Sequence, residues 1–219
     1  MKLRKIIAVM ALAAMSVVPM TAFAAKTAKV DNLNPVKTVT VTDKQKGLDL
    51  TFFQVKDLKN VAARHAINRA IIDAASDLVM EHKTELEKGE CDMKITSQIR
   101  YNGYDVLSAT FTSEGMVKGA AHGFKSMKSI NYNYATGEEI TAEDLNKLFK
   151  AAKMEPAYTV ANINKLLKAE EKAGKITLLN GVKTLPPFYL SGKSLDITAF
   201  FQPYEVAPYA NGIVTLDVH

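Results

Sequence analysis

The stretch FYLSGKSLDITAFFQPYEVAPYANGIVTLDV, residues 188–218, has the pattern of three short strands joined by a turn and an aromatic loop. Phe188–Leu190 predicts the first strand, and Gly192 in the next segment can take the positive φ of a tight turn. Apolar and polar side chains alternate from Leu195 to Phe201, which predicts a second strand with one apolar face. The end of the chain is therefore expected to form antiparallel β-structure.

The loop before the third strand is rich in aromatic side chains. Pro203 and Pro208 bracket it, and Asn211-Gly212 is a strong turn signal ahead of the closing strand. Glu205 lies between an aromatic and an aliphatic residue in this loop, where a carboxylate could bind sugar hydroxyls or take part in proton transfer. A structural carboxylate would instead accept hydrogen bonds from backbone N–H groups of the loop. Both interpretations of Glu205 stay open.

Further strands and three helices are predicted upstream of this stretch. Asn102-Gly103 is a two-residue turn signal, so residues 92–112 are expected to form a hairpin. The longest helix is predicted over Leu58–Lys88, where good helix formers dominate, with Gly89 as its C-cap residue. The other predicted elements are strands at Val36–Thr42, Leu48–Val55 and Phe124–Tyr134, a short edge strand at Ile176–Leu179, and helices beginning at Thr141 and spanning Tyr158–Ala173.

Apolar residues on the long helix follow helical spacing and predict a face packed on a sheet. The segment Ser113–Gly123, with glycine at every fourth position, is expected to be a loop. These elements predict an α+β fold, mainly an antiparallel sheet packed by one long helix, with a smaller helical insertion. We expect a single domain over residues 36–219, with two lobes, 36–112 and 113–219, as the alternative division. The core-facing stripe of the helix comprises Ile67, Ile71, Ala74, Ala75, Leu78 and His82, widened by Val61, Ile72 and Val79.

The first residues have the pattern of a secretory signal peptide. A short basic segment precedes the apolar run Ile6–Val18, and Ala22-Phe23-Ala24 places small residues where cleavage occurs. The run is shorter than the roughly 20 residues of a spanning helix, so cleavage after Ala24 is favoured over a retained anchor. We expect a secreted or periplasmic protein that retains no membrane segment, with residues 25–35 as a flexible arm.

Charge and cysteine content exclude several classes of protein. The 219-residue chain has 28 basic and 23 acidic residues; removal of the three basic residues before position 25 leaves 25 and 23, a net charge of +2. Such a balance does not indicate nucleic-acid binding. Cys91 is the only cysteine, so an intramolecular disulfide is impossible. Its state, a free thiol or a bond between chains, stays open.

Histidines and phosphate-loop signatures offer one candidate site residue. The four histidines, His65, His82, His122 and His219, are widely spaced and form no zinc-binding motif, so no metal and no cofactor are expected. Residues 192–194, Gly-Lys-Ser, imitate the end of a phosphate loop, but the required upstream glycine position holds Pro187. His122 lies between small residues in the glycine-rich segment and is the best candidate for a ligand contact or a hydrogen-bond hub.

Several segments together resemble a known family. They are GAAHG at residues 119–123, SINYNY at 129–134, and the stretch 188–218, and HAINRAI at 65–71 also fits the helix expected in such proteins. The pattern spans about residues 36–218 and is similar to the extracytoplasmic domain of RsiV-type anti-sigma factors, which sense lysozyme. Related domains precede the catalytic part of certain peptidoglycan deacetylases. The chain departs from both patterns, because no sigma-binding segment and no deacetylase domain are recognisable in it.

The resemblance implies an α+β domain that works outside the cytoplasm, near the cell wall, and it implies no catalytic residues. The first hypothesis is a non-catalytic binding module of the cell envelope, with a muramidase-like protein or a peptidoglycan fragment as its ligand. The second is a cell-wall hydrolase or deacetylase that uses Glu205 or His122, and the third is a structural envelope protein. The candidate ligand-binding residues are His122, Phe188, Tyr189, Tyr204, Glu205 and Tyr209.

Overall fold

A computed structural model describes residues 35–151, 155–192 and 195–218, which form two β-sheets and four helices. The predicted signal peptide, residues 25–34 of the predicted arm, and His219 lie outside the described residues. The large sheet contains β1 (Lys37–Gln45), β2 (Leu48–Lys56), β3 (Cys91–Gly103), β4 (Val106–Val117), β5 (Phe124–Asn133) and β6 (Glu138–Glu139). The small sheet contains β7 (Phe188–Ser191), β8 (Asp196–Phe201) and β9 (Val214–Val218). The helices are α1 (Val61–Met80), α2 (Lys83–Lys88), α3 (Ala142–Ala151) and α4 (Val160–Lys172).

This architecture confirms the predicted α+β class. The large sheet has the order β1-β2-β3-β4-β5-β6, and every neighbouring pair is antiparallel except β2 and β3. Those two strands run parallel, with Leu48 opposite Met93, because α1 and α2 carry the chain back between them. The alternation of apolar residues within each strand gave no information about this crossover.

Helix α1 covers one face of the large sheet, as its apolar stripe predicts. Asn60 caps its first turn by accepting a hydrogen bond from the Ala63 N–H, and the predicted stripe from Ile67 to Leu78 is buried. The prediction of one helix over Leu58–Lys88 was wrong at two points, because α1 begins at Val61 and the helix is interrupted at residues 81–82 before α2. Val61 is 42% exposed, so the prediction that it widens the stripe was also wrong.

Gly89 and His82 lie at the two ends of helix α2. Gly89 ends α2 with φ +73°, which confirms the predicted C-cap. His82, predicted in the buried stripe, is instead half-buried at the break between α1 and α2, where its ring stacks on Phe124 at 3.6 Å between centroids.

The hairpin β3–β4 turns at a different pair of residues from the predicted one. Tyr104 and Asp105 form the turn, with φ values of +47° and +60°. Asn102 does not turn the chain, because its side-chain amide pairs with the N–H and carbonyl of Val36, both at 2.9 Å. A tertiary contact 66 residues away in sequence therefore overrides the local turn signal.

Oppositely charged residues form a row across five strands on the face of the large sheet opposite α1. Lys44, Asp49, Lys94, Glu114 and Lys125 are consecutive cross-strand partners from β1 to β5. The first pair is a salt bridge at 3.1 Å. Each charge has an opposite charge beside it, and a register slip by one residue would move these side chains to the other face.

The small sheet packs on both of its faces. Ile197, Ala199 and Phe201 belong to a core cluster with residues of α3 and α4. On the other face, Phe200 packs with Met127 of β5 and with Tyr189. The prediction of a single apolar face for β8 was therefore wrong, because this strand lies between the helices and the large sheet.

Hydrogen bonds join the two sheets at buried positions. The Ser108 hydroxyl donates to Asn131 Oδ1 at 2.7 Å and accepts from the Leu190 N–H at 2.8 Å. The Asn131 amide donates to the Phe188 carbonyl at 2.9 Å. The boundary between residues 112 and 113 in the alternative two-lobe division lies inside β4. The chain passes from the large sheet to the small sheet after β6.

Two predicted irregular or edge segments differ from expectation. Strand β4 extends to Val117, so only residues 118–123 of the predicted loop connect β4 to β5. Position 115 lies within this strand, and it requires glycine because a Cβ there would overlap the Asp92 carbonyl oxygen and the Phe124 ring. The predicted edge strand at Ile176–Leu179 is wrong, since this segment has no strand pairing.

None of the helices in the described part of the chain combines the length and apolar character needed to cross a membrane.

Candidate functional site

Three of the predicted site residues meet where the β4–β5 loop touches the β8–β9 loop. His122 Nε2 lies 3.2 Å from the Tyr204 hydroxyl oxygen. The imidazole stacks on Tyr209 at 4.0 Å between centroids, and the two tyrosine rings are 5.6 Å apart. We call His122, Tyr204 and Tyr209 the aromatic patch. His122 thus contacts two residues that lie 82 and 87 positions later in the sequence.

The Gly123 carbonyl oxygen orients two members of the patch. It lies 2.7 Å from His122 Nδ1 and accepts from the Tyr209 hydroxyl at 2.6 Å. A carbonyl can only accept, so Nδ1 carries the proton of this bond. In the neutral ring, Nε2 is then the acceptor for the Tyr204 hydroxyl. The polar groups of the patch thus bond each other or Gly123, while the His122 and Tyr204 side chains are exposed.

Tyr204 combines an exposed side chain with a left-handed backbone conformation, as Tyr104 does in the β3–β4 turn. Its φ is +70° and the residue is 57% exposed. A left-handed conformation costs a residue with a Cβ roughly 1–2 kcal/mol. The loop holds it through the Tyr204 N–H, which donates to the Ala207 carbonyl at 3.1 Å. The exposed ring of Tyr204 is therefore carried on a backbone conformation that costs free energy.

Glu205 closes the same turn instead of facing His122. Its carboxylate accepts from the Gln202 N–H at 2.9 Å, and its own N–H donates to the Gln202 carbonyl at 3.1 Å. This is the arrangement of a structural carboxylate. Among the described residues, no hydrogen bond joins Glu205 to His122, so the pair does not form an acid–base dyad here.

Phe188 and Tyr189 lie in the core, apart from the patch. They are 6% and 8% exposed. The Phe188 ring packs against Tyr158 at 5.2 Å, while the Arg100 guanidinium lies 4.8 Å above the Tyr189 ring. Both were selected as candidate ligand-binding residues, which requires exposed rings, and that requirement is not met, because β7 packs the small sheet against the large one.

Gln202 positions the patch and was missed by the sequence interpretation. Its side-chain amide accepts from the Met127 N–H at 3.0 Å and donates to the Met127 carbonyl at 2.7 Å. The only signal in the sequence is a polar residue directly after the apolar end of β8, ahead of Pro203. Such a signal does not identify Met127, 75 residues away in sequence, as the hydrogen-bond partner.

Other parts of the surface do not extend this site. A groove of about 340 Å³ lies at the β1–β2 turn and the start of β3, lined in part by Lys44, Asp49 and Asp92, and it contains no predicted site residue. Within the described residues, no three histidine, cysteine, aspartate or glutamate side chains are grouped to hold a metal ion. The chemistry available at the patch is ring stacking and hydrogen bonding.

Comparison with known proteins agrees with the fold. The chain superposes on the crystal structure of a member of the DUF3298 family from Bacteroides fragilis with a TM-score of 0.59, at 14% identity over 85% of this chain and 91% of that chain. For a DUF3298 family protein from Pseudomonas aeruginosa the TM-score is 0.57, at 13% identity over 84% and 91%. At these identities the likeness shows the fold alone. No curated protein matches the chain.

A family model matches part of the sequence. Residues 138–219 match the family described as "Protein of unknown function (DUF3298)". The match begins at β6 and includes the small sheet, so it covers Tyr204 and Tyr209 but not His122. The carboxyl-terminal part of this chain is therefore similar to the DUF3298 domain family.

Proposed function

We propose that this chain is a non-catalytic binding module of the cell envelope and that the aromatic patch contacts its ligand. The observation that carries the proposal is Tyr204, which is exposed although its backbone is held in a left-handed conformation. Strained residues cluster at sites of function, and tyrosine is enriched in protein interfaces. The signal-peptide pattern of residues 1–24 supports a location outside the cytoplasm.

The ligand class that we favour is a protein, specifically a muramidase-like enzyme. The patch is an exposed surface of stacked rings whose hydroxyl and imidazole groups already bond each other or Gly123. Ring surface of this kind packs against a partner protein with little loss of side-chain freedom. The other ligand expected from the resemblance is a peptidoglycan fragment, and its binding is measured in parallel.

A pull-down with residues 25–219 tests the proposal. The protein is incubated with a purified muramidase and, separately, with purified peptidoglycan, and the affinity of each interaction is measured. Saturable binding of the muramidase at micromolar or tighter affinity is expected. Binding to peptidoglycan alone would replace the protein ligand by a glycan, and binding to neither would refute the proposed module.

A further inference from the structure

Strand β1 forms one edge of the large sheet. It pairs with β2 along its whole length, from Lys37 opposite Lys56 to Gln45 opposite Leu48. In the described part of the chain, no strand pairs with the other side of β1. Alternate residues of an antiparallel edge strand direct their N–H and C=O groups outward, where they can pair with another strand.

The sequence of this strand is complementary to itself. Residues 37–43 read KTVTVTD. When two copies run antiparallel about Thr40, lysine faces aspartate at both ends, and every pair between them joins identical residue types. Lys37 lies opposite Asp43, Thr38 opposite Thr42, Val39 opposite Val41, and Thr40 opposite itself.

We propose that β1 pairs with β1 of a second copy of this chain about a twofold axis at Thr40. The two six-stranded sheets then form one sheet of twelve strands. In this register odd-numbered residues lie opposite odd-numbered ones, and even-numbered residues lie opposite even-numbered ones. Outward-directed backbone groups therefore meet each other, and side chains stay on matching faces. A twofold interface of this kind uses the same surface on both subunits.

The side chains at the edge fit this register. Val39 is 45% exposed, while Val41 packs at the margin of the core, so their pairing covers apolar surface on the α1 face. Neither Lys37 nor Asp43 has an ion-pair partner among the described residues, and the Asp43 carboxylate accepts only from the Gln45 side chain at 2.7 Å. By contrast, Lys44 already pairs with Asp49 and lies outside the seven residues.

The two neighbouring registers that keep matching faces together fit less well. Pairing about Val41 would place Asp43 opposite Val39 and Lys37 opposite Gln45, and pairing about Val39 would place Asp43 opposite Pro35 and Lys37 opposite Val41. Both registers leave Lys37 and Asp43 without an opposite charge across the interface. Charged residues on an edge strand can also serve to prevent sheets from associating. That role requires charge alone, and it does not require opposite charges at symmetric positions. The symmetry of Lys37 and Asp43 about Thr40 is therefore the feature that selects a partner copy.

The proposed dimer leaves the aromatic patch accessible. The patch adjoins β5, four strands from β1, so nine strand spacings would separate the two patches, or roughly 40 Å at about 4.8 Å per spacing. Two patches at opposite ends of one sheet could bind two ligand molecules at once. The dimer itself does not depend on the function of the patch.

Charge reversal and mixing test the register. Sedimentation velocity of purified residues 25–219 is expected to show a concentration-dependent dimer. Lys37→Asp and Asp43→Lys each place two pairs of like charges across the interface, and each is expected to weaken dimerisation by roughly tenfold or more. An equimolar mixture of the two variants restores opposite charges at both ends, so heterodimers are expected to form as tightly as the wild-type dimer.

Lys46→Asp is the matched control. It makes the same charge change in the β1–β2 turn, outside the paired residues, and should leave dimerisation unchanged. Circular dichroism of each variant verifies that the monomer is folded. A wild-type protein that stays monomeric at all concentrations, single variants that dimerise like wild type, or a mixture that associates no better than either variant alone would overturn the proposal.

Discussion

The Gln202 side chain binds both backbone polar groups of Met127, with an N···O distance of 3.0 Å for the bond that it accepts and 2.7 Å for the one that it donates. Met127 lies on β5 of the large sheet, and Gln202 directly follows β8 of the small sheet. This pair therefore fixes the β8–β9 loop against the large sheet. The position of Tyr204 relative to His122 depends on it.

Replacement of Gln202 by alanine should destabilise the protein and disturb the patch. Two hydrogen bonds are lost, which corresponds to about 1–3 kcal/mol in the free energy of unfolding. Urea denaturation measures this loss. Lys46→Ala in the exposed β1–β2 turn is the control and should change the unfolding free energy little. An unaltered midpoint for Gln202→Ala would show that the loop is held by other contacts.

Two buried serines on β4 should respond in opposite directions to alanine. Ser113 Oγ is buried and has no hydrogen-bond partner among the described residues, so Ser113→Ala should stabilise the fold by roughly 1 kcal/mol. Ser108 bonds to Asn131 and Leu190, so Ser108→Ala should cost about 2 kcal/mol. Thermal and urea unfolding of both variants measure the difference. Equal effects of the two substitutions would contradict the assigned hydrogen bonds.

Tyr158 should contribute to stability in a pH-dependent way. Its buried hydroxyl donates to the Pro186 carbonyl at 2.6 Å, and burial raises the pKa of Tyr158 well above its usual range. Above about pH 10, tyrosine in the unfolded chain loses its proton while the folded protein retains it. The stabilising effect of this group is therefore present below pH 10 and declines as the pH rises further.

Comparison with Tyr158→Phe isolates this contribution. The variant should lose about 1–2 kcal/mol of unfolding free energy at neutral pH, because the Pro186 carbonyl loses its partner. Its stability should also decrease less steeply than that of wild type above about pH 10. Parallel stability curves for the two proteins in that range would show that burial does not raise the pKa of Tyr158.

Cys91 should react slowly with thiol reagents in the folded protein. It is 3% exposed at the start of β3, and burial, followed by the nearby charges of Asp92 and Glu85, raises the pKa of its thiol. Both effects reduce the thiolate available for reaction. Alkylation measured by mass spectrometry should be slow in buffer and fast in denaturant. Rapid alkylation of the folded protein would place this thiol at the surface.

Local patterns in the sequence predicted most elements but not their packing. The helix start predicted at Thr141 illustrates the success. In the structure the Asp144 N–H donates to the Thr141 hydroxyl at 3.3 Å, and the Thr141 N–H donates to the Asp144 carboxylate at 3.1 Å, which forms a capping box. Such signals act within four residues. The turn at Asn102-Gly103 failed because Asn102 bonds to Val36, and no pattern within the hairpin records that contact.

The site shows the same division between local and distant information. His122, Tyr204 and Tyr209 were all selected as candidates, because glycine and aromatic residues stand out in their loops. Phe188 and Tyr189 were selected for the same reason, although the strand that contains them is covered on both sides. Whether an aromatic residue is exposed depends on which sheet faces it, and that relationship is set by contacts such as Asn131 with Phe188.

The affinity of a muramidase for wild-type protein and for Tyr204→Gly tests the central claim most directly. Glycine removes the ring and relieves the left-handed strain, so the unfolding free energy should stay equal or rise while binding weakens by roughly tenfold or more. Isothermal titration calorimetry measures the affinity, and urea denaturation verifies the fold. Equal affinities of the two proteins, or no binding by wild type, would contradict a ligand-binding role for the aromatic patch.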